Sequence, residues 1–381
     1  MKLIICGNYG ENNLGDSLIL EGLIKSVREI TSNPEITVLA NNPKELEESL
    51  KTRGYGTIKA ENKFPSGIRS IFKYFLNRSF WKTRKAVKAA DYFILGGGGL
   101  FDGTSKKAIL IWGIQAWFAY HYKKPVIMYG QSLGEISSGF AQKVVKKMFR
   151  KAEFIAVRDE SSKQLLKTWI KGKKILVMPD LVFGIESIKN AEQNHYDAKE
   201  PRIAEQKTLL LSLRPFKHTT EQFNKVLADF VDTATAETGL PVELIPFKKV
   251  MDEKYQKAIA ETTKAKPKLL EYTDDKEKLN EIYGKAKVLI GMRLHSILYA
   301  IKTGTPFLAI NYNPKVKNIL ESLGLSAFII EIKDATPENL LKHLNEILEK
   351  NEQIREKLTR IAKSEYEKLK ETEKSLKEVL K

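Results

Sequence analysis

The chain has 381 residues, 42% apolar and 29% charged, which suits about two to three domains with real cores and excludes a disordered chain. A formal net charge of +17 points to anionic partners, and one cysteine, Cys6, excludes an intrachain disulfide framework and Cys-based zinc clusters. The longest uncharged apolar run, Ala108 to Tyr122, has 15 residues, short of the ~20 that cross a bilayer; Leu3–Cys6 is too short for a signal core, so the sequence predicts a cytoplasmic protein.

Short apolar runs rich in β-branched and aromatic residues alternate with amphipathic stretches. In the first half the runs are Leu3–Cys6, Ile36–Ala40, Tyr92–Leu95, Val126–Tyr129, Phe154–Val157 and Ile175–Met178, with helix-period segments such as Ser17–Ile30 and Glu160–Ile170 between them. The second half repeats the pattern at Thr208–Leu213, Val242–Phe247, Leu269–Tyr272, Val288–Ile290, Phe307–Asn311 and Phe328–Glu331. Runs of this kind predict parallel sheets covered on both faces. The predicted architecture is α/β: two doubly wound, Rossmann-like domains facing a cleft. Residues 1–188 form the first domain and 207–335 the second. A polar stretch without apolar periodicity, 189–206, is the linker, and 336–381 reads as C-terminal helices.

The charge is uneven: residues 1–188 carry a net +13 and the remainder +4. Residues 63–88 hold eight basic residues and no acid, interleaved with Phe64, Phe72, Tyr74, Phe75, Phe80 and Trp81. A basic helix with an aromatic stripe suits an anionic membrane surface, and Lys143, Lys146, Lys147, Arg150 and Lys151 extend the same patch. No nucleic-acid-binding motif accompanies this charge, so nucleic acid is not an expected partner.

Ligands of parallel α/β sheets sit beyond the carboxyl ends of the strands, and the unusual residues fall there. After the first run comes Gly7-Asn8-Tyr9-Gly10-Glu11-Asn12-Asn13-Leu14-Gly15-Asp16-Ser17, which is neither G-x-G-x-x-G nor a P-loop. After the third predicted run stand Gly96-Gly97-Gly98-Gly99 and then Leu100-Phe101-Asp102. Four glycines cost chain entropy, and close backbone approach to a ligand is their expected reason. Gly130-Gln131-Ser132 and Arg158-Asp159-Glu160-Ser161 close the next strands.

The sharpest block is Leu289-Ile290-Gly291-Met292-Arg293-Leu294-His295-Ser296, an apolar strand running into a helix. Arginine offers a fork for carboxylate or phosphate, and histidine moves protons near neutral pH. Arg214 and Lys315 end two neighbouring runs. Arg158, Arg214, Arg293, Lys315 and His295 together predict a cationic pocket between the domains for a small ligand with at least two negative charges. No clustered metal-ligand spacing is present, so no metal is expected. His121, His195, His218 and His343 have no such company.

Taken in order, Tyr9 to Asp16, Gly96 to Asp102, Gly130-Gln131-Ser132, Arg158-Asp159-x-x-Ser162 and Gly291-Met292-Arg293-Leu294-His295-Ser296 resemble the polysaccharide pyruvyl transferases. The resemblance covers roughly residues 1–330 and is closest to enzymes that modify cell-wall polymer precursors. It implies a glycosyltransferase-B-like fold and transfer of a pyruvyl group from phosphoenolpyruvate, as co-substrate without other cofactor, to a sugar as a cyclic ketal. It further implies a lipid-linked saccharide acceptor at the inner membrane face. By motif position His295, Arg293, Arg158 and Lys315 are the catalytic residues, with Gln131, Ser132, Arg214 and Ser296 on the donor side. Asn13, Gly15, Asp16, Gly97, Gly98 and Asp102 face the acceptor. The rival readings are a nucleotide-sugar glycosyltransferase of the same fold and a non-catalytic polyanion- or membrane-binding protein.

Overall fold

The structure is a computed structural model and describes residues 1–65, 78–101, 106–185, 207–216 and 219–380. The expected linker, Asp102, His195, His218 and most of the basic aromatic stretch before residue 78 lie outside the described residues. The chain divides into two compact units. One comprises Met1–Asn12, Asp16–Ile185 and Tyr366–Lys381; the other comprises Asn13–Gly15 and Glu186–Glu365.

The first unit holds seven strands: β1 (Lys2–Cys6), β2 (Glu35–Ala40), β3 (Lys59–Asn62), β4 (Tyr92–Phe101), β5 (Val126–Leu133), β6 (Phe154–Val157) and β7 (Leu176–Val177). All pair in parallel, in the order β3-β2-β1-β4-β5-β6-β7. Its helices are α1 (Leu14–Ile30), α2 (Pro43–Thr52), α3 (Arg78–Ala89), α4 (Lys106–His121), α5 (Gly139–Lys151) and α6 (Glu160–Trp169). Alternation along β1 sorts them into two layers. Leu3 and Ile5 pack with Leu23 of α1 and Leu50 of α2, whereas Ile4 and Cys6 pack with Val87 of α3, Trp112 of α4, Val145 of α5 and Leu166 of α6. A sheet buried on both faces needs the near-continuous apolar strands seen in the sequence.

β3, with the sequence Lys-Ala-Glu-Asn, escapes an apolar-run reading because it is a polar edge strand. β4 runs six residues beyond Leu95, through all four glycines. A Cβ on Gly97 would stand 2.0 Å from Ile19 Cγ2, and one on Gly96 2.6 Å from Leu23 Cδ2. Close packing of α1 therefore explains Gly96 and Gly97, in place of the ligand approach expected for them. Gly98, at φ +86°, needs glycine for its backbone.

The second unit has β8 (Thr208–Ser212), β9 (Val242–Leu244), β10 (Lys268–Leu269), β11 (Ala286–Gly291), β12 (Phe307–Asn311) and β13 (Ile329–Glu331). These are also parallel, in the order β10-β9-β8-β11-β12-β13. The helices are α7 (Glu221–Thr238), α8 (Met251–Thr262), α9 (Lys276–Lys285), α10 (Leu294–Thr303), α11 (Pro314–Ser322), α12 (Pro337–Glu349) and α13 (Asn351–Val379). The strand order reverses at β1/β4 in one sheet and at β8/β11 in the other, the places where open α/β sheets bind ligands.

The C-terminal helices do not form a segment of their own. Residues 366–381 belong to the first unit, where Leu369 and Leu376 enter the core and Ser26 Oγ donates to Glu373 at 2.5 Å.

Candidate active site

At the second unit's switch point, Ser212 of β8 lies in register with Gly291 of β11, which lies in register with Ala309 of β12. Just past these positions the chain delivers Arg214, Arg293, His295, Ser296 and Lys315, so the tertiary fold brings together one set of the predicted residues. Arg214 is half-buried; its Nη1 donates to the Tyr312 hydroxyl at 2.8 Å and its Nε to the Pro215 carbonyl at 3.1 Å. Its guanidinium also lies 5.0 Å from the Tyr312 ring centroid. Burial holds its pKa below the usual arginine value, and the charge of Arg293 adds to that effect. Among the described residues no carboxylate lies within ion-pair distance of Arg214. The Asp252 carboxylate, farther off, acts in the opposite direction; a desolvated guanidinium whose hydrogen-bond partners are all neutral favours a bound anion.

Arg293 behaves differently. It forks onto Asp252, with Nε donating to Oδ2 at 3.0 Å and Nη2 to Oδ1, and Asp252 is fully buried. Asp252 also accepts from the amides of Phe247 and Lys248, at 3.0 and 2.8 Å. The expectation that Arg293 adds net positive charge to the site is thus corrected: its charge is matched by Asp252, and it fixes the 247–252 turn. That turn carries Val250 at φ +66°, a conformation costing about 1–3 kcal/mol that a β-branched residue adopts only under constraint. Sequence reading missed Asp252 because 41 residues separate it from its partner.

His295 stands in the first turn of α10, where helix N–H groups also favour an anion. Ser296 is buried and spends its hydroxyl on the Arg293 carbonyl at 2.7 Å, so it shapes the turn. The Ser212 hydroxyl, buried in β8, has no partner among the described residues, and nothing in the sequence had singled it out. Lys315 opens α11, its amide capped by Asn313 at 3.0 Å. Residues 13–15 group with this unit: Asn13 bridges Lys248, Leu14 N–H donates to the Phe247 carbonyl at 2.8 Å, and Gly15 lies under the imidazole. A Cβ on Gly15 would stand 2.3 Å from His295 Nδ1. Of the residues expected to face the acceptor, Asn13 and Gly15 therefore keep company with His295.

In the first unit Arg158, Gln131 and Ser132 lie buried at the strand ends. The Arg158 side chain is 2% exposed and Asp180 3%; they form an ion pair, and Arg158 Nε donates to Ser132 Oγ at 3.0 Å. The partner of Arg158 is Asp180 and not the adjacent Asp159. Asp159 instead caps α6, accepting from the Ser162 amide and the Ser161 hydroxyl, each at 2.7 Å. Burial pushes the Asp159 carboxyl up, but the serine hydrogen bonds outweigh it and leave the pKa below the usual range. Gln131 Nε2 donates to the Leu95 carbonyl, while Gln131 Oε1 and Arg158 Nη2 are buried without a partner among the described residues.

Near β1 and β4, Asn8 donates to Asp16 at 2.8 Å, and a Cβ on Gly98 would lie 3.9 Å from Asp16 Oδ1. Asp16 and Gly98, both expected on the acceptor side, are neighbours. Lys63 is buried, with Nζ 5.0 Å from the Trp112 ring; burial lowers its pKa, while Cys6, Glu11 and Asp16 act in the opposite direction. Burial pushes the Cys6 thiol up to about 12, so it is no nucleophile. Among the described residues no group of three His, Cys, Asp or Glu could hold a metal ion, and no helix is long and apolar enough to cross a membrane.

Comparison with known proteins agrees with this fold. Amylovoran biosynthesis protein AmsJ of Erwinia amylovora is 22% identical over 408 aligned positions, covering 96% of each chain. UDP-GlcNAc 2-epimerase from Neisseria meningitidis, solved with UDP-GlcNAc, superposes with a TM-score of 0.65 at 15% identity, covering 100% of this chain and 99% of its own. A UDP-glucosyltransferase from Polygonum tinctorium gives a TM-score of 0.56 at 11% identity over 98% of both chains. These structures share the glycosyltransferase-B arrangement of two parallel α/β sheets. The profile of one family spans residues 13–314, from the Asn13 turn through the His295 block to the start of α11, and the chain belongs to that family, the polysaccharide pyruvyl transferases.

Proposed function

We propose that this polysaccharide-modifying transferase moves a pyruvyl group from phosphoenolpyruvate to a sugar of a cell-surface polysaccharide or its lipid-linked precursor, closing a cyclic ketal. Arg214 carries this reading: a desolvated guanidinium without a carboxylate partner, at a strand switch point, in a chain of this family. Phosphoenolpyruvate has a carboxylate and a phosphate on three carbons, and Arg214 and Lys315 hold those two groups while Arg293 fixes the turn beside them. His295, as imidazolium, protonates the methylene carbon, leaving the phosphate-bearing carbon electrophilic. A first sugar hydroxyl adds there and loses its proton, the carbon–oxygen bond to phosphate breaks, and a second hydroxyl adds. One hydroxyl proton replaces that given by His295; the other leaves with phosphate. Asp16 takes a hydroxyl proton, with Asn13, Gly15 and Gly98 on the acceptor side. Arg158, Gln131 and Ser132 build the end of the first sheet and act as positioning residues. Phosphoenolpyruvate supplies both the three-carbon unit and the leaving group, so the reaction as written uses no resident cofactor.

The test is incubation with phosphoenolpyruvate and a panel of lipid-linked saccharides, following phosphate release and product mass. Thermal melting with each donor accompanies it, because a ligand that binds the folded state raises Tm. Stabilisation by phosphoenolpyruvate with a ketal product is expected. Stabilisation by UDP-sugars alone, with glycosyl transfer, would replace this reading by the glycosyltransferase one.

A further inference from the structure

The two helix layers of the first unit differ in charge. α1 and α2, on one face of the sheet, carry six acidic and four basic residues. α3, α4 and α5, on the other face, carry twelve basic residues and no acid. These three form one layer: Phe80 of α3 meets Phe118 of α4 at 6.4 Å between centroids, and Tyr120 of α4 donates to the Met148 carbonyl of α5 at 2.6 Å.

The outer side of this layer is also unusually apolar. Trp81 is 52% exposed, Trp117 53%, Phe140 66% and Leu110 37%. Leu110 and Trp117 are seven residues apart on α4 and so share a face, although Ile109, Trp112 and Ala116 of the same helix are buried in the core. A helix apolar on its core and outer faces fits a non-aqueous neighbour. Lys85 and Lys88 of α3, both exposed, line one hollow with Trp81, and Lys143, Lys147 and Lys151 of α5 are exposed in the same layer. Arg84 lies 5.0 Å from the Trp81 ring.

We propose that the outer face of α3, α4 and α5 docks the protein on an anionic lipid bilayer, a property beyond the transfer reaction. Tryptophan and leucine enter the headgroup region while the lysines stay at the phosphates. A second copy of the chain would set the basic helices of one layer against those of another, which like charges oppose. Residues 78–88 of the stretch expected to meet the membrane lie in this layer as α3, and the expected extension at 143–151 lies in it as α5.

Flotation of the full chain with vesicles of phosphatidylglycerol and phosphatidylcholine, against phosphatidylcholine alone, tests this. Binding to the anionic vesicles that weakens with salt is expected. Lys143→Gln/Lys147→Gln/Lys151→Gln lowers the partition on the order of 100-fold, at about one kcal/mol for each of the three charges removed. Leu110→Ser/Trp117→Ala, at unchanged charge, lowers it roughly 10-fold or more. Tm is measured for each, and Trp117→Ala alone replaces any multiple variant that does not fold. Absence of vesicle binding overturns the proposal. So does vesicle binding indifferent to Leu110 and Trp117, or tighter binding to heparin or single-stranded DNA with the same indifference, since charge alone would then explain the face. The readout needs no turnover, so it stands or falls apart from the proposed reaction.

Discussion

At the end of β6, Arg158 is buried with Asp180 and Ser132 around it, whereas past the end of β8, Arg214 is half-buried with a phenol and a carbonyl as partners. Both arginines follow apolar strands in parallel sheets, and both looked like ligand groups in the sequence. The first has its charge matched inside its own unit and so holds structure together. The second is desolvated, with the Arg293–Asp252 pair nearby but no carboxylate in ion-pair contact with it among the described residues, so an anion improves its energy. Arg293 lies between these cases, paired with Asp252 but 13% exposed. Whether a strand-end cation binds or builds depends on the carboxylate that the fold puts beside it.

Four substitutions test that contrast. The largest effect is expected from His295→Ala, which should lower turnover about 10²–10⁴-fold with little change in Tm, measured by phosphate release. Near-normal turnover would remove histidine from the proton step. Next, Arg158→Ala leaves Asp180 buried without its counter-charge and should cost about 3–5 kcal/mol of stability in urea unfolding. A loss under 1 kcal/mol would mean that the pair is not structural. Arg214→Ala should do the reverse, weakening phosphoenolpyruvate binding by about 1.5–3 kcal/mol in calorimetry while the melting temperature is kept or raised. If Arg214→Ala unfolds the protein and Arg158→Ala only weakens the donor, the contrast is inverted.

The smallest effect concerns the cap of α6. Asp159→Ala should cost about 0.5–2 kcal/mol at neutral pH. Because the folded carboxyl lies below its unfolded value of ~3.9, Asp159 stabilises the fold above that pH and loses this contribution as pH falls through the folded value. The gap between variant and parent should therefore narrow in acid, as followed by unfolding at successive pH values.

Much of the molecule was legible along the chain. Leu3–Cys6 and Ile36–Ala40 are β-branched runs bounded by polar breakers, and Phe154–Val157 and Phe307–Asn311 match β6 and β12 residue for residue. Propensity and burial act there through neighbours in sequence, which is why these strands and the His295 block stood out. β3 did not, because pairing at a sheet edge asks little of side-chain apolarity. The four glycines were legible as special but not in their cause, since the Ile19 methyl that crowds Gly97 belongs to a helix 78 positions earlier.

By itself the sequence determined the parallel α/β grammar, the family motifs and which residues could carry charge or a proton. Only the tertiary structure decided that Asp180 and Asp252 match Arg158 and Arg293, that Arg214 has no such partner among the described residues, and that Gly15 lies under His295. The physical reason is range. Backbone preference and apolar periodicity are written in adjacent residues, whereas the energy of a desolvated charge depends on groups that meet only when distant strands are laid in register.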